Sequence, residues 1–512
     1  MKLLKSLRIV LAVVSFLAII AVFVDFTGMA AHRFAWLPKV QLVPALLALN
    51  FVAIAVLIGL TFIFGRIYCS VICPLGIYQD IVNRLRVVTT PKKKRRPGVF
   101  RFQKAATRMR TGFLVLFAVL LILGLTGVIA TSIAGILDPY SAFGRIAGQI
   151  LVPIWHSGMS SLADTAAEHG HYPFEAYPTA IALNAGVLAV AVVTLIVTTA
   201  MAWTGGRAYC NKVCPVGTLL GFISRHSLLR ITINTELCNH CGSCGRHCKA
   251  RCIDSRNQTI DFSRCVACFD CIGHCSQGAL SYSLRRRKPS GEATIAKAQP
   301  DAGRRAFMAG AAIAGGTIAL RAADKVTDGG LTPLKKKLPV EGAAPAVPAG
   351  SLSIAHITGN CTSCQLCISR CPDNVLRPSD SFGRFMQPVM TFTDGYCRPE
   401  CTLCSDICPA GAIRPVTVEQ KAVIKIGNAV VTPDICISAA LGEHCGSCAR
   451  HCPAGAIRMV KMENGHRRPT VDENLCIGCG SCEYHCPVGA TETTGASTAA
   501  IHVEGIKVHR EL

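Results

Sequence analysis

Glu236-Leu-Cys238-Asn-His-Cys241-Gly-Ser-Cys244-Gly-Arg-His-Cys248, followed after a short spacer by Cys265-Val-Ala-Cys268-Phe-Asp-Cys271-Ile-Gly-His-Cys275, carries the densest chemistry in the chain. Each run has the spacing C-x2-C-x2-C-x3-C. Three thiols two residues apart lie on one tight loop, and soft sulfur ligands suit iron–sulfur clusters and zinc better than hard cations. Zinc ribbons also use C-x2-C pairs. A tetrahedral zinc site, however, has no use for a third cysteine two residues on and a fourth after that. The spacing therefore favours [4Fe–4S] clusters.

When two such runs face each other, the first three thiolates of a run hold one cube and the fourth crosses to the cube of the other run. Cys238, Cys241, Cys244 and Cys275 form one expected ligand set, and Cys265, Cys268, Cys271 and Cys248 the other. Related runs follow at Cys361, Cys364, Cys367 and Cys371, and at Cys397, Cys401, Cys404 and Cys408. Two more lie at Cys436, Cys445, Cys448 and Cys452, and at Cys476, Cys479, Cys482 and Cys486. The six runs use 24 of the 29 cysteines and predict six clusters.

After its fourth cysteine a run continues with a Pro and Gly turn and a small residue, as in Cys408-Pro-Ala-Gly-Ala-Ile and Cys452-Pro-Ala-Gly-Ala-Ile. In that register Cys252 takes the small-residue slot and is left out of the ligand set. Two tail runs depart from the standard spacing, at Cys397-Arg-Pro-Glu-Cys401 and between Cys436 and Cys445. Both are first-to-second gaps, where a bulged loop can still return the thiols. Pairing of the four tail runs stays open: first with second and third with fourth, or first with fourth and second with third. Short β-branched segments at 422–426 and 429–432 predict small hairpins.

The 512 residues are 51% hydrophobic and 16% charged, with a mean hydropathy of +0.40, too apolar for a soluble protein. Residues 7–24, 43–64, 112–137 and 179–203 are each long enough to cross ~30 Å of hydrocarbon as helices. Lys2, Lys5 and Arg8 precede the first span as in a signal peptide, but more spans follow without a convincing cleavage site, so it reads as retained. The net charge of +23 raises nucleic acid as a partner. Its densest part, Pro91-Lys-Lys-Lys-Arg-Arg-Pro, instead sits between two spans, where basic excess marks the cytoplasmic side, and no nucleic-acid binding is expected. The N-terminus, residues 66–110 and the segment after Arg207 are expected on that side. Residues 138–178, with Asp138, Asp164, Glu168 and Glu175 against Arg145, read as a loop on the far side. The short loop with Arg33 and Lys39 must also lie outside, against the trend.

A second repeat follows the second and fourth spans: Gly65-Arg-Ile-Tyr-Cys69-Ser-Val-Ile-Cys73-Pro-Leu-Gly76 and Gly206-Arg-Ala-Tyr-Cys210-Asn-Lys-Val-Cys214-Pro-Val-Gly217. Cysteines at i and i+4 share a face if the helix continues that far. Cys69, Cys73, Cys210 and Cys214 then bind or relay a redox centre, a further cluster among the options, or act as redox-active thiols. The plainer reading is a helix-ending turn with small buried cysteines; the repetition of the whole motif favours function. His156, His169 and His171 are candidates for a quinol or haem site, with exposed loop histidines as the blander reading. No G-x-G-x-x-G follows a strand, which argues against NAD or FAD.

Beyond Ser283 a polar linker leads to Gly303-Arg304-Arg305-Ala-Phe-Met-Ala and an apolar stretch ending at Leu320. This resembles a twin-arginine export signal in mid-chain, with Gly where Ser or Thr usually stands, and is a candidate fifth span. The expected fold class is a membrane α-helical domain of four spans, with that fifth candidate, plus α+β ferredoxin-like [4Fe–4S] modules. The expected domains are 1–230, 231–284, the linker 285–350, and 351–512.

Residues 1–284 resemble the NapH/MauN family of membrane ferredoxin-type proteins, with four helices, two Cys-x3-Cys-Pro motifs and a cytoplasmic two-cluster domain. The tail from about residue 304 resembles the NapG/MauM family, which has a twin-arginine signal and four clusters. Nearly the whole chain is covered, as if two partner subunits were fused. The resemblance implies a quinol dehydrogenase component in a bacterial inner membrane, with quinol as substrate and the quinone pool as partner. It would feed a periplasmic reductase of the nitrate reductase kind. Cys69, Cys73, Cys210 and Cys214 would stand at the quinol-linked step, residues 231–284 in the cytoplasm and 351–512 in the periplasm. Two alternatives remain: an accessory role in maturing or reductively activating a periplasmic metalloenzyme, and a cytoplasmic ferredoxin–quinone link.

Overall fold

The structure is a computed structural model that describes residues 2–25, 28–89, 100–169, 183–284, 327–328, 332–333, 337–490 and 495–512. The twin-arginine segment lies outside the described residues. The principal helices of the first 230 residues are α1 (Lys2–Val24), α2 (Phe51–Phe64), α3 (Tyr68–Val71), α4 (Pro74–Thr89) and α5 (Thr107–Leu125). They continue with α6 (Pro139–Ile146), α7 (Val152–Glu168), α8 (Ala185–Gly205), α9 (Ala208–Lys212) and α10 (Pro215–Ser224). Among the described residues, three helices have the length and composition to cross a membrane: Leu3–Val24, Thr107–Leu125 and Ala185–Gly205.

The segment 43–64 is not one continuous span. Leu49 takes a left-handed φ of 53°, and the Asn50 carboxamide caps α2 by accepting from the Ala53 amide at 3.0 Å. Side-chain capping and a left-handed residue end one helix and start another more cheaply than an unsatisfied junction would. The fourteen residues of α2 then extend about 21 Å, less than the hydrocarbon thickness. The stretch 112–137 likewise stops at Leu125, before Gly127 with φ 77°. Residues 138–168 are mostly helical rather than a loop: Asp138 caps α6 through the Ser141 amide at 2.8 Å, with Pro139 at the first helical position.

Strands β1 (Leu229–Ile233), β2 (Ile253–Asp254), β3 (Thr259–Ile260) and β4 (Leu280–Leu284) build the first ferredoxin-like body, with β1 antiparallel to β4 and β2 to β3. Ile231, Ile253, Phe269 and Leu280 fill its core. The tail contributes β5 (Leu376–Pro378), β6 (Pro388–Met390), β7 (Ile424–Val431), β8 (Ile457–Lys461), β9 (Arg467–Val471) and β10 (Ile501–Glu511). The hairpins expected at 422–426 and 429–432 are instead a single strand, β7, paired with the C-terminal β10. Ala422 and Val423 close the short helix Val418–Val423, whose Thr417 and Gln420 form a capping box.

The two bodies lie at opposite ends of the same helices. Lys5, near the start of α1, pairs with Asp270 at 2.9 Å, while Asp25 beyond its end faces Arg370 of the tail at 3.9 Å. Arg110 in α5 donates to Ser263, whereas Thr131 past its far end donates to the Gly359 carbonyl at 2.6 Å. At the start of α8, Asn184 donates to Asp380 at 2.8 Å; at its other end Arg251 donates to the Thr204 carbonyl.

The tail seats on α6 where a side chain is absent. A Cβ on Gly144 would come within 2.2 Å of the Cys364 carbonyl oxygen, backbone against backbone. Replacing Gly144 by alanine is expected to cost ~1–3 kcal/mol through forced displacement. A lower thermal midpoint of the detergent-solubilised chain checks this, and an unchanged midpoint would count against this seat for the tail.

Candidate metal centres

Among the described residues, spaces lined by four cysteines each lie in the ferredoxin-like bodies. Cys238, Cys241, Cys244 and Cys275 line one, and Cys361, Cys364, Cys367 and Cys408 another. Cys436, Cys445, Cys448 and Cys486 line a third, and Cys476, Cys479, Cys482 and Cys452 a fourth. Each set takes three thiols from one run and the fourth from another. The tail runs therefore pair first with second and third with fourth, the choice the spacing left open. Ring stacks mark the same relation: the histidines before the fourth cysteines, His247 with His274 and His451 with His485, stack at 3.7 and 3.9 Å.

The remaining two sets follow the same crossing. Cys397 and Cys404 are electrostatic neighbours of Cys371, and Cys265 and Cys271 of Cys248. Cys252 is buried with its sulfur 3.5 Å from that of Cys248. The wide Cys397–Cys401 loop is closed by Lys421, whose ammonium donates to the Arg398 and Cys401 carbonyls. The longer Cys436–Cys445 gap holds the helical turn Ile437–Ala440, pinned where Ser438 donates to the Arg467 carbonyl at 2.7 Å.

These donor sets fit a [4Fe–4S] group. Burial pushes the Cys268, Cys361, Cys448 and Cys479 thiols up to about 12, so without a metal they stay protonated. Coordination to a metal deprotonates a thiol outright. Backbone amides of Ser363, Ile413 and Ala456 point at the sulfurs of Cys361, Cys408 and Cys452 at 3.3–3.4 Å. Among the described residues, no three His, Cys, Asp or Glu side chains close around a single-ion site.

The second repeat is folded back into the helical core. Gly65 and Gly206, with φ of 75° and 68°, turn the chain sharply after α2 and α8. Cys69 and Cys210 sit on the short helices α3 and α9, while Cys73 and Cys214 precede Pro74 and Pro215 at the starts of α4 and α10. The helix therefore does not run on from i to i+4. Proline excludes the α conformation from the residue before it, and Cys214 is extended at φ −64°, ψ 119°. All four cysteines are buried, each 3% exposed.

Two arginines cross between the repeats. Arg207 donates to the Cys69 carbonyl at 2.5 Å, and Arg66 to the Cys210 carbonyl at 3.3 Å. Gly76 and Gly217 make room for them, since a Cβ on either would lie 2.8 Å from the opposite arginine and 2.3 Å from the cysteine carbonyl. Arg207 also grips Asp80 with two bonds of 2.8 Å, and Asp80 takes Arg8 at 3.1 Å and Lys249 at 2.9 Å. The residue-by-residue reading of the repeats missed Arg66, Arg207, Gln79 and Asp80. The Gly-Arg that opens both repeats was the available signal.

One contiguous apolar core runs from Cys268 through Cys69, Cys73 and Cys214 to Leu366, with Cys364 packed against it. The Tyr68 hydroxyl donates to Gln41 at 2.6 Å and that of Tyr209 to the Leu137 carbonyl at 3.4 Å. His169 is exposed and bonds the Thr165 carbonyl at 2.8 Å; His156 is half-buried on α7, and His171 lies outside the described residues.

A family described as a 4Fe-4S binding domain matches residues 46–96 and again 185–234, and a 4Fe-4S dicluster domain matches 443–490. The first of these falls on the segments that carry Cys69 with Cys73 and Cys210 with Cys214. The methylamine utilization ferredoxin-type protein MauN of Paracoccus denitrificans is 28% identical over 38% of this chain and 52% of its own length. The ferredoxin-type protein NapH of Haemophilus influenzae is 22% identical over 46% of this chain and 69% of its own. The putative electron transport protein YccM of Escherichia coli is 31% identical over 16% of this chain and 23% of its own. The chain spans about half the length of the curated MauN relatives it matches. No solved structure matches it. These likenesses fit a NapH/MauN-type protein with ferredoxin modules.

Asp80→Asn would leave Arg207, Arg8 and Lys249 without their shared counter-charge. Removing one partner of a buried ion network costs ~3–5 kcal/mol. Denaturant unfolding of the purified chain in detergent should register that loss, and a midpoint within error of the parent would remove Asp80 as the anchor.

Proposed function

We propose that this chain is a membrane-bound iron–sulfur electron-transfer protein that carries electrons from the quinol pool to a periplasmic reductase, of the nitrate reductase kind. The observation that carries this reading is the placement of thiol-rich bodies at opposite ends of the same apolar helices, with three further thiols, Cys69, Cys73 and Cys214, in the apolar core that runs between them. The likeness to MauN and NapH supports it, as does the basic excess at the Lys5 end, which favours that end for the cytoplasm.

The six runs would hold six [4Fe–4S] clusters, which when bound take up and release single electrons without bond changes in the protein. The task of the chain's own residues is positioning and tuning. Crossed thiols bind two sets within one small body. Amides aimed at sulfur and the burial of the thiols set the potential, because hydrogen bonds and dielectric shift the balance between charge states. Lys249, beside Cys268 and paired to Asp80 and Asp270, places positive charge next to one such set.

Protease or thiol-reagent access to a tag placed after Ser351 tests the arrangement. Cleavage in intact spheroplasts is the expected outcome, whereas cleavage only after lysis would replace the periplasmic reading with a cytoplasmic ferredoxin–quinone link. Bleaching of the visible iron–sulfur absorption by a quinol under anaerobic conditions tests the donor. No bleaching with a quinol alongside full bleaching with dithionite would remove quinol from the scheme.

A further inference from the structure

We propose that electrons leave the tail from the set Cys436, Cys445, Cys448 and Cys486, and that the basic face over this set docks an electron-carrier protein with an acidic surface. The proposal deepens the electron-transfer reading and rests on it for the direction of flow.

The order of the four tail sets in space is not their order in sequence. The first lies against the helices: Cys364 meets Gly144 of α6, and Leu366, Ile407 and Ala410 join the apolar core of the helices. Among the described residues, that core takes nothing from 411–512. The second set lies beside the first, with Cys367 and Cys404 packed on one apolar group around Ile357 and Ile413. From the second set, contact passes to the set closed by Cys452. There the Cys397 amide donates to the Cys479 carbonyl at 2.9 Å, and the Tyr396 ring lies 5.4 Å from that of His485. This set shares its body with the remaining one: Ser481 donates to the His451 carbonyl at 2.7 Å and Ser447 to the His485 carbonyl at 2.8 Å. Electrostatic neighbours repeat these contacts, Cys404 for Cys367, Cys397 for Cys479 and Cys448 for Cys482. Tunnelling falls steeply with distance, so electrons pass between adjacent sets. The line therefore runs first, second, fourth, third, and ends at Cys436, Cys445, Cys448 and Cys486.

A single face covers this last set. The eight residues between Cys436 and Cys445 are held against the β8–β9 hairpin. Ser438 donates to the Arg467 carbonyl at 2.7 Å, and Nδ1 of His466 bonds the Ala439 carbonyl at 3.1 Å. Gly442, at φ 73°, lies so near the same ring that a Cβ would come within 2.7 Å of it. Pro469 of β9 lines the space that the four thiols line. On the hairpin's outer side Arg458 is paired with Thr470 and Val460 with Arg468, and all four are exposed. Lys461 and Arg467 pair at the end of the hairpin, and Arg450 lies over Gly446, next to Cys445, with its Nη1 3.4 Å from where a Cβ would stand. Leu441, 53% exposed, adds apolar area among arginines, a mixture that protein interfaces favour.

Charge identifies the partner. Residues 351–512 hold 14 Lys and Arg against 15 Asp and Glu, yet 441–470 hold five cations against two carboxylates, Glu443 and Glu463. The rest of the tail is therefore negative, nine against thirteen, and this end positive. Other tail cations are used internally: Arg370, Arg377 and Arg398 pair with Asp25, Asp394 and Asp373, while Lys421 and Lys425 donate to backbone carbonyls. Arg450, Arg458, Lys461, Arg467 and Arg468 are exposed, and among the described residues they form no ion pair. An unpaired patch of one sign speeds encounter with a partner of the other sign and turns away its own. Charge placed only for solubility would have no reason to gather over the one set that ends the line. Anionic lipid is the less fitting occupant, because this set lies at the end of the line away from the helices.

The test uses the full chain in zwitterionic nanodiscs, its clusters reduced with dithionite and freed of the excess, so that quinol has no part in the outcome. Stopped-flow spectroscopy follows electron delivery to two soluble probes of high potential, an acidic plastocyanin and the basic mitochondrial cytochrome c. Delivery to plastocyanin should be the faster at low salt and fall by ~10-fold or more as salt is raised. Carbodiimide should couple plastocyanin carboxylates to Lys461. The variant Arg458→Glu/Arg468→Glu should lose ~10-fold in that rate at low salt. Lys507→Glu/Arg510→Glu, an equal change of charge on β10, should keep the parent rate. Equal or faster delivery to cytochrome c, cross-links that leave out Lys461, or the same loss in both variants would overturn the proposal. Capture of phosphatidylglycerol vesicles through Arg458 and Arg468, with the plastocyanin rate untouched, would also overturn it and give the face to a lipid surface. Because the parent chain with two probes at two salt levels decides the matter, misfolding of a variant does not shelter it. Failure of quinol to bleach the absorption, with delivery to plastocyanin intact, would sink the quinol reading alone.

Discussion

A single carboxylate shared by three cations holds the helical part together. Asp80 on α4 receives Arg8 from α1, Arg207 from the turn after α8, and Lys249 from the first ferredoxin-like body. Buried charges survive only where geometry is good and the remaining protons find acceptors. Arg207 meets that condition by spending two donors on Asp80 and another on the Cys69 carbonyl. The position of the first repeat's thiols is thus tied to the same network that seats the ferredoxin-like body. Arg66 does the equivalent for the second repeat, with a backbone carbonyl of that body, Ser263, as its anchor.

At the other end the helices meet the tail mainly through small residues and capped turns, with the Asp25–Arg370 pair at 3.9 Å beside them. The Gly144 backbone presses against the Cys364 carbonyl, and the Thr131 hydroxyl donates to the Gly359 carbonyl. Close contact of this kind leaves the apolar core continuous from Cys268 to Leu366. It also lowers the local dielectric, which strengthens every dipole aimed at a sulfur.

The cysteine runs could be read directly, because a cluster loop is a local object whose ligands are set by chain spacing. Their partners could not all be read. Cys408 closing the set of Cys361, Cys364 and Cys367, and Cys486 that of Cys436, Cys445 and Cys448, depend on which loops face each other across the tail. The break at Leu49-Asn50 and the helix starting at Asp138-Pro139 had local cap signals, but the hydropathy of 43–64 and the charge of 138–178 outweighed them. Strand β7 looked like two hairpin arms because its partner, β10, lies some seventy residues away and leaves no mark in the neighbouring sequence.

Sequence alone determined the kinds of element: apolar helices, loops of thiols at cluster spacing, and a Gly-Arg-x-Tyr-Cys-x3-Cys-Pro repeat after the second and fourth apolar stretches. Those are short-range properties of composition and spacing, and a linear text carries them. Tertiary structure decided that the repeats turn back into the core and face each other, that each lends an arginine to the other, and that the two ferredoxin-like bodies occupy opposite helix ends. These contacts join residues up to several hundred positions apart. They arise from the need to pair buried charge and satisfy buried donors, a condition that exists only once the chain has closed on itself.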